Sequence, residues 1–104
     1  MPWREYVAFF FGGMILVNAI PHFVSGLMGR RFPSPFASPP GKGESSPMVN
    51  VLWGALNLVA GYWLVFRVGE FLIRETSSVV AVGVGGLLMA VMLAWNFGKV
   101  YAGK

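Results

Sequence analysis

Residues 5–28 read EYVAFFFGGMILVNAIPHFVSGLM, and the reading of this stretch decides the fold. Between Tyr6 and Val17 no side chain carries a charge, and apolar character resumes after His22. A helix rises about 1.5 Å per residue, so roughly 20 such residues cross a hydrocarbon core. The stretch is long enough, yet Asn18, Pro21 and His22 fall inside it. A proline in a helix lacks an N–H, and its ring clashes with the carbonyl four residues back, here that of Val17. The sequence therefore predicts a kinked first helix whose freed carbonyl finds a partner elsewhere in the protein.

Two further stretches have the same character: PMVNVLWGALNLVAGYWLVF at 47–66 and VVAVGVGGLLMAVMLAWNFGKV at 79–100. Trp3, Tyr6, Tyr62, Trp63, Trp95 and Tyr101 fall mostly near span ends, where amphipathic rings favour a membrane interface. Composition agrees. Of 104 residues, 56% are hydrophobic and 12% charged, about half the charge of a soluble domain. The expected architecture is a single all-α integral membrane domain filling 1–104. It has three transmembrane helices, over 5–28, 47–66 and 79–100, with a kinked first helix. A long Pro-rich loop at 30–46 joins helices 1 and 2.

The same composition narrows function. With no cysteine, disulfides, thiolate catalysis and Cys-based zinc or iron–sulfur sites are excluded together. The net charge is +4, but the eight basic residues stand singly or paired at the ends of apolar runs. That placement suits anionic lipid headgroups and not a nucleic-acid backbone, so no nucleic-acid partner is expected. Loop 1 and the C-terminal tail hold Arg30, Arg31, Lys42, Lys99 and Lys104, against Arg4, Arg67 and Arg74 elsewhere. The positive-inside rule then puts loop 1 and the C-terminus in the cytoplasm and the N-terminus outside, with a bacterial inner membrane as the expected setting. Val17 and Ala19 offer small-residue positions before a signal-peptide cut. Glu5 dilutes the basic n-region, however, and apolar residues continue past Ala19, so a retained first helix is expected.

Loop 1, GRRFPSPFASPPGKGESSP, holds five prolines, which predict extended and turn conformations without regular structure. Ser46 followed by Pro47 predicts an N-cap with proline at the first helical position. Phe32 and Phe36 flank a Pro-Ser-Pro, placed to dip into the interface. The loop reads either as a linker packed over the bundle end or as a cap at the mouth of a pathway. Its PGKGESS lacks the spacing of a phosphate loop. In loop 2, Arg67, Glu70 and Arg74 at i, i+3 and i+7 predict one charged face on a helical extension of the second span. Ser77 or Ser78 is the expected cap of the third.

Polar residues in hydrocarbon normally face protein or a water-filled cavity. Asn18, His22, Ser25 and Gly29 share one helical stripe, and Asn50, Gly54, Asn57 and Gly61 share another. Gly86, Ala90 and Ala94 form a small-residue seam with Asn96 nearby. Counting inward from loop 1, His22, Asn50 and Asn96 fall roughly 6–9 Å from that boundary, and Asn18 and Asn57 near mid-depth. The expected bonds follow from depth: Asn57 to the freed Val17 carbonyl with Asn18 alongside, and His22 to Asn50 or Asn96. Gly12, Gly54, Gly61, Gly86 and Ala90 are the expected helix-packing positions, because small residues let helices approach closely.

The chain has no acid–base pair inside the spans, no Ser–His–Asp set, and one histidine. Neither an enzyme nor a metal or cofactor site is expected. Asn18, His22, Ser25, Asn50, Asn57 and Asn96 stand as pathway or polar-core residues, and two functional readings remain. The first is a homo-oligomeric channel or transporter for an ion, proton or small polar solute, since three helices alone enclose no useful pore. The alternative is a non-catalytic accessory or scaffold subunit of a larger membrane complex. The expected partners are the lipid bilayer and either further copies of the chain or that complex.

Overall fold

The computed structural model describes residues 2–102, so Lys104 lies outside the described residues. The chain forms helix α1 (Pro2–Leu27), two short strands β1 (Phe32–Pro33) and β2 (Glu44–Ser45), then helices α2 (Pro47–Phe66) and α3 (Thr76–Ala102). All three helices are long and apolar enough to cross a membrane, which is compatible with an integral membrane location. α2 has the bounds its apolar run predicts. α1 begins earlier than expected, α3 extends past its expected limits at both ends, and α1 passes through Pro21 as one helix.

Local chemistry sets the helix ends. Ser46 caps α2 with its hydroxyl accepting from the Val49 N–H at 3.2 Å, and Pro47 follows at the position where a missing N–H costs nothing. At the end of α1, Gly29 takes a positive φ of 72°. The Gly29 N–H then reaches the Gly26 carbonyl at 3.0 Å and the Arg30 N–H reaches the Ser25 carbonyl at 2.9 Å. This paired closure is the Schellman arrangement, which glycine adopts without strain. Gly29 therefore ends α1 and does not continue its polar stripe.

Three local expectations are corrected. Loop 1 is not without regular structure: β1 and β2 pair antiparallel, Phe32 opposite Ser45 and Pro33 opposite Glu44. A proline is tolerated there because a two-strand ribbon has an edge on which its missing N–H is not needed. The second span has no helical extension bearing Arg67, Glu70 and Arg74, since α2 stops at Phe66. Phe71 instead turns inward, meeting Phe9 edge-on at 5.6 Å and Phe66 at 5.4 Å. The third span is capped neither by Ser77 nor by Ser78, which lie inside the first turn of α3. Glu75, just before the helix, accepts from the Ser77 hydroxyl at 3.1 Å and from the Tyr6 hydroxyl at 2.9 Å.

α1 is the central element. It packs along α2 on one side and α3 on the other, while α2 and α3 hardly touch. Close approach is made by glycine. A Cβ at Gly54 would stand 2.7 Å from both the backbone nitrogen and the Cβ of Phe23, and one at Gly61 would stand 2.5 Å from Leu16. On the α3 side a Cβ at Gly85 would overlap the Phe10 carbonyl, and one at Gly13 the Val82 carbonyl. Without a hydrophobic drive between helices in lipid, such contact supplies dispersion energy in its place. The stripe Asn50, Gly54, Asn57 and Gly61 is buried throughout, joined by Val65. The expected α3 seam divides: Gly86 is buried, Ala90 and Ala94 are exposed, and Gly85 joins Gly86 in the contact.

Candidate functional site

At the loop 1 end, the α2–α3 gap over α1 is filled from outside by loop 1. Phe32 reaches in, its ring 4.6 Å from Phe97, 5.5 Å from His22 and 6.1 Å from Tyr101. Of the two phenylalanines expected at the interface, Phe32 is thus half-buried, while Phe36 stays outside, 65% exposed, edge-on to Trp53 at 5.2 Å. The loop is internally bonded. Ser34 and Ser45 share a hydroxyl contact of 2.6 Å, and the Ser34 carbonyl accepts from the N–H groups of Ala37 and Gly41.

Asn50 ties this loop to the helices. Its Nδ2 donates to the carbonyls of Phe32 at 3.0 Å, Ser45 at 3.2 Å and Ser46 at 3.1 Å. Three carbonyls around one end of the carboxamide identify that end as nitrogen. The other end, Oδ1, then accepts from His22 Nδ1 at 2.9 Å. Neutral His22 is therefore the Nδ1–H tautomer, with a bare Nε2 that makes no hydrogen bond among the described residues. At mid-depth the same logic holds: Asn57 Nδ2 donates to the Trp53 carbonyl at 2.8 Å, and its Oδ1 accepts from Asn18 Nδ2 at 3.0 Å. Asn18 Oδ1 makes no hydrogen bond among the described residues.

Asn18 and His22 both line one cleft of about 360 Å³, together with Trp53, Phe97 and the loop residues Pro33, Ser34, Pro35, Pro40 and Gly41. No charged side chain lines it. Trp53 Nε1 is a buried donor without a hydrogen-bond partner among the described residues. The cleft is walled by a carboxamide, an imidazole and the aromatic side chains of Trp53 and Phe97. Asn18 is the deepest lining residue. Beyond it the α1–α2 contact is shut by glycine packing, a Cβ at Gly12 falling 2.6 Å from Val65.

The structure brings together Asn18, His22, Asn50 and Asn57, as depth alignment predicts, with different partners in part. Asn57 donates to Trp53 of its own helix, not to the Val17 carbonyl. Ser25 lies half-buried one turn from His22, and its carbonyl closes the α1 cap. Asn96 does not join His22; it is exposed, on another face, beside Lys42 and Lys99. Trp53, Phe97 and Ser34 were not singled out by sequence. Trp53 stands three residues after Asn50 and four before Asn57, on the same stripe, and Phe97 is three turns from Gly86 on one face, so spacing carried both signals. Ser34 carried none. No family model matches the chain, and no curated protein or solved structure is significantly similar to it.

Proposed function

We propose that the protein is a homo-oligomeric membrane transporter or channel in which the cleft under loop 1 admits a proton or small polar solute and His22 receives it. The observation that carries this reading is the division of labour in one imidazole. Nδ1 is held by Asn50, Nε2 has no hydrogen-bond partner among the described residues, and His22 lines the cleft. An imidazole that keeps an unbonded nitrogen can take up a proton there, and imidazole titrates near pH 6.5 when unperturbed. Since the helix contacts close beyond Asn18, passage to the other side runs along an interface between copies or follows a movement of the helices. Loop 1 faces the cytoplasm in this reading, where most of the basic residues lie.

A second reading has its own support. Only 17% of the apolar stretch of α3 is buried, and α3 meets α2 hardly at all, leaving a broad helix face for a larger membrane protein. Proteoliposomes carrying an imposed pH or solute gradient separate the two. Wild-type flux that depends on pH between about 5 and 8, and loses that dependence in His22→Ala, supports transport. Wild-type leakage equal to that of empty vesicles rejects it in favour of the accessory subunit.

A further inference from the structure

A second cleft, of about 380 Å³, lies at the same end of the molecule and is separate from the first. Lys42, Asn96, Lys99 and Val100 line it. Lys42 belongs to loop 1, and its placement beside α3 has a specific cause. The Tyr101 hydroxyl donates to Glu44 Oε2 at 2.8 Å, which fastens the start of β2 to the last turn of α3. The turn before β2 is closed by the Lys42 and Gly43 N–H groups on the Pro39 carbonyl, at 3.1 and 2.8 Å. The two lysines are thus brought to one cleft across 57 positions of sequence, from 42 to 99.

Neither ammonium group forms an ion pair among the described residues. Lys99 lies over the Trp95 ring at 5.8 Å, and that ring is 70% exposed. Val91 and Met92, one turn deeper on α3, are also exposed. The cleft therefore sits in the last turns of a membrane-length helix, with two cations and a carboxamide at its mouth and an outward apolar surface below. Arg30 and Arg31, both exposed at this end, strengthen the positive field and outweigh Glu44, whose carboxylate keeps its charge while accepting from Tyr101. This is the chemistry of a phosphodiester headgroup above acyl chains.

We propose that Lys42, Lys99 and Asn96 form a binding site for the phosphate headgroup of an anionic lipid, the ammonium groups and the Asn96 amide donating to phosphate oxygens while the acyl chains lie along Val91, Met92 and Trp95. A free phosphate would gain nothing from that apolar surface, which is why the lipid is the assigned source. The site does not depend on the transport reading.

Native mass spectrometry from nanodiscs mixing phosphatidylglycerol with phosphatidylcholine tests it. Wild type should retain phosphatidylglycerol preferentially, and Lys42→Gln with Lys99→Gln should lower that preference roughly tenfold or more. Both lysines are at the surface, so the double variant should melt like wild type, and Lys42→Arg with Lys99→Arg should keep the preference. Arg67→Gln with Arg74→Gln, which removes the same charge from the other end, should keep it too. Retention by the Lys→Gln pair, or an equal loss in the Arg→Gln pair, would overturn the site. Displacement of the lipid by millimolar inorganic phosphate would overturn the assignment to lipid.

Discussion

His22 Nδ1 and Asn50 Oδ1 stand 2.9 Å apart, joining the loop 1 ends of α1 and α2 across 28 positions of sequence. Asn50 is fully buried, and both ends of its carboxamide are engaged: Oδ1 accepts from the imidazole, and the two Nδ2 hydrogens are shared among three loop and helix-start carbonyls. One side chain thus fixes the tautomer of His22, the seating of β1 and β2, and the first turn of α2.

Replacing Asn50 by Leu should therefore be costly. It leaves the His22 N–H and the Phe32 and Ser45 carbonyls without their partner, at about 1–3 kcal/mol per group left unsatisfied. The expected loss is at least about 2 kcal/mol in reversible denaturation in micelles. Asn50→Asp should not rescue it, because a carboxylate accepts and cannot donate to three carbonyls. A variant within about 0.5 kcal/mol of wild type would contradict the network.

Glycines should sort by what surrounds them. Gly54→Ala and Gly85→Ala place a methyl against the backbone of Phe23 and Phe10, so α1 must move and stability should fall by about 1–3 kcal/mol. Gly83→Ala and Gly98→Ala meet nothing within 4 Å and should be neutral or stabilising, by up to about 1 kcal/mol of helix propensity. Parallel thermal melts of the four variants check the order, and equal effects at Gly83 and Gly85 would refute the packing.

Asn18 and Asn57 are directly bonded, so Asn18→Leu and Asn57→Leu should not add. A double-mutant cycle should return a coupling of about 0.6 kcal/mol, the usual size for such pairs in membrane proteins. Zero coupling would mean that the pair is not formed in the bilayer.

Much of this was legible in the sequence, for physical reasons that differ by residue. Spans and the Asn50–Gly61 stripe follow from helical spacing, which is rigid enough to carry a buried face through about three turns. The match of Ser46 and Pro47 to the start of α2 follows from capping chemistry that is local to a few residues. What spacing does not encode is how helices rotate about one another. Asn96 has the depth of His22 but lies on another face of α3, and the buried side of α3 runs through Gly85 and Gly86 while leaving Ala90 exposed. Loop 1 was the least legible part. Its two rungs and the inward turn of Phe32 depend on Asn50 supplying donors from a distant helix, a long-range cause with no mark in PSPFASPP itself. Phe71 ended the expected charged helix in loop 2 by the same kind of non-local contact, against Phe9.

The Asn50 network and the open acceptor both depend on the orientation of one imidazole, and the chain has a single histidine, so the measurement is direct. Solid-state NMR of protein labelled with 15N-histidine in bilayers, above the pH where the ring is charged, reports which nitrogen bears the proton. The expected spectrum has a protonated Nδ1 and a bare Nε2, with the Nδ1 signal perturbed in Asn50→Leu. A protonated Nε2 with a bare Nδ1 would place the wrong nitrogen against Asn50 and contradict both the network and the open acceptor on which the transport reading depends.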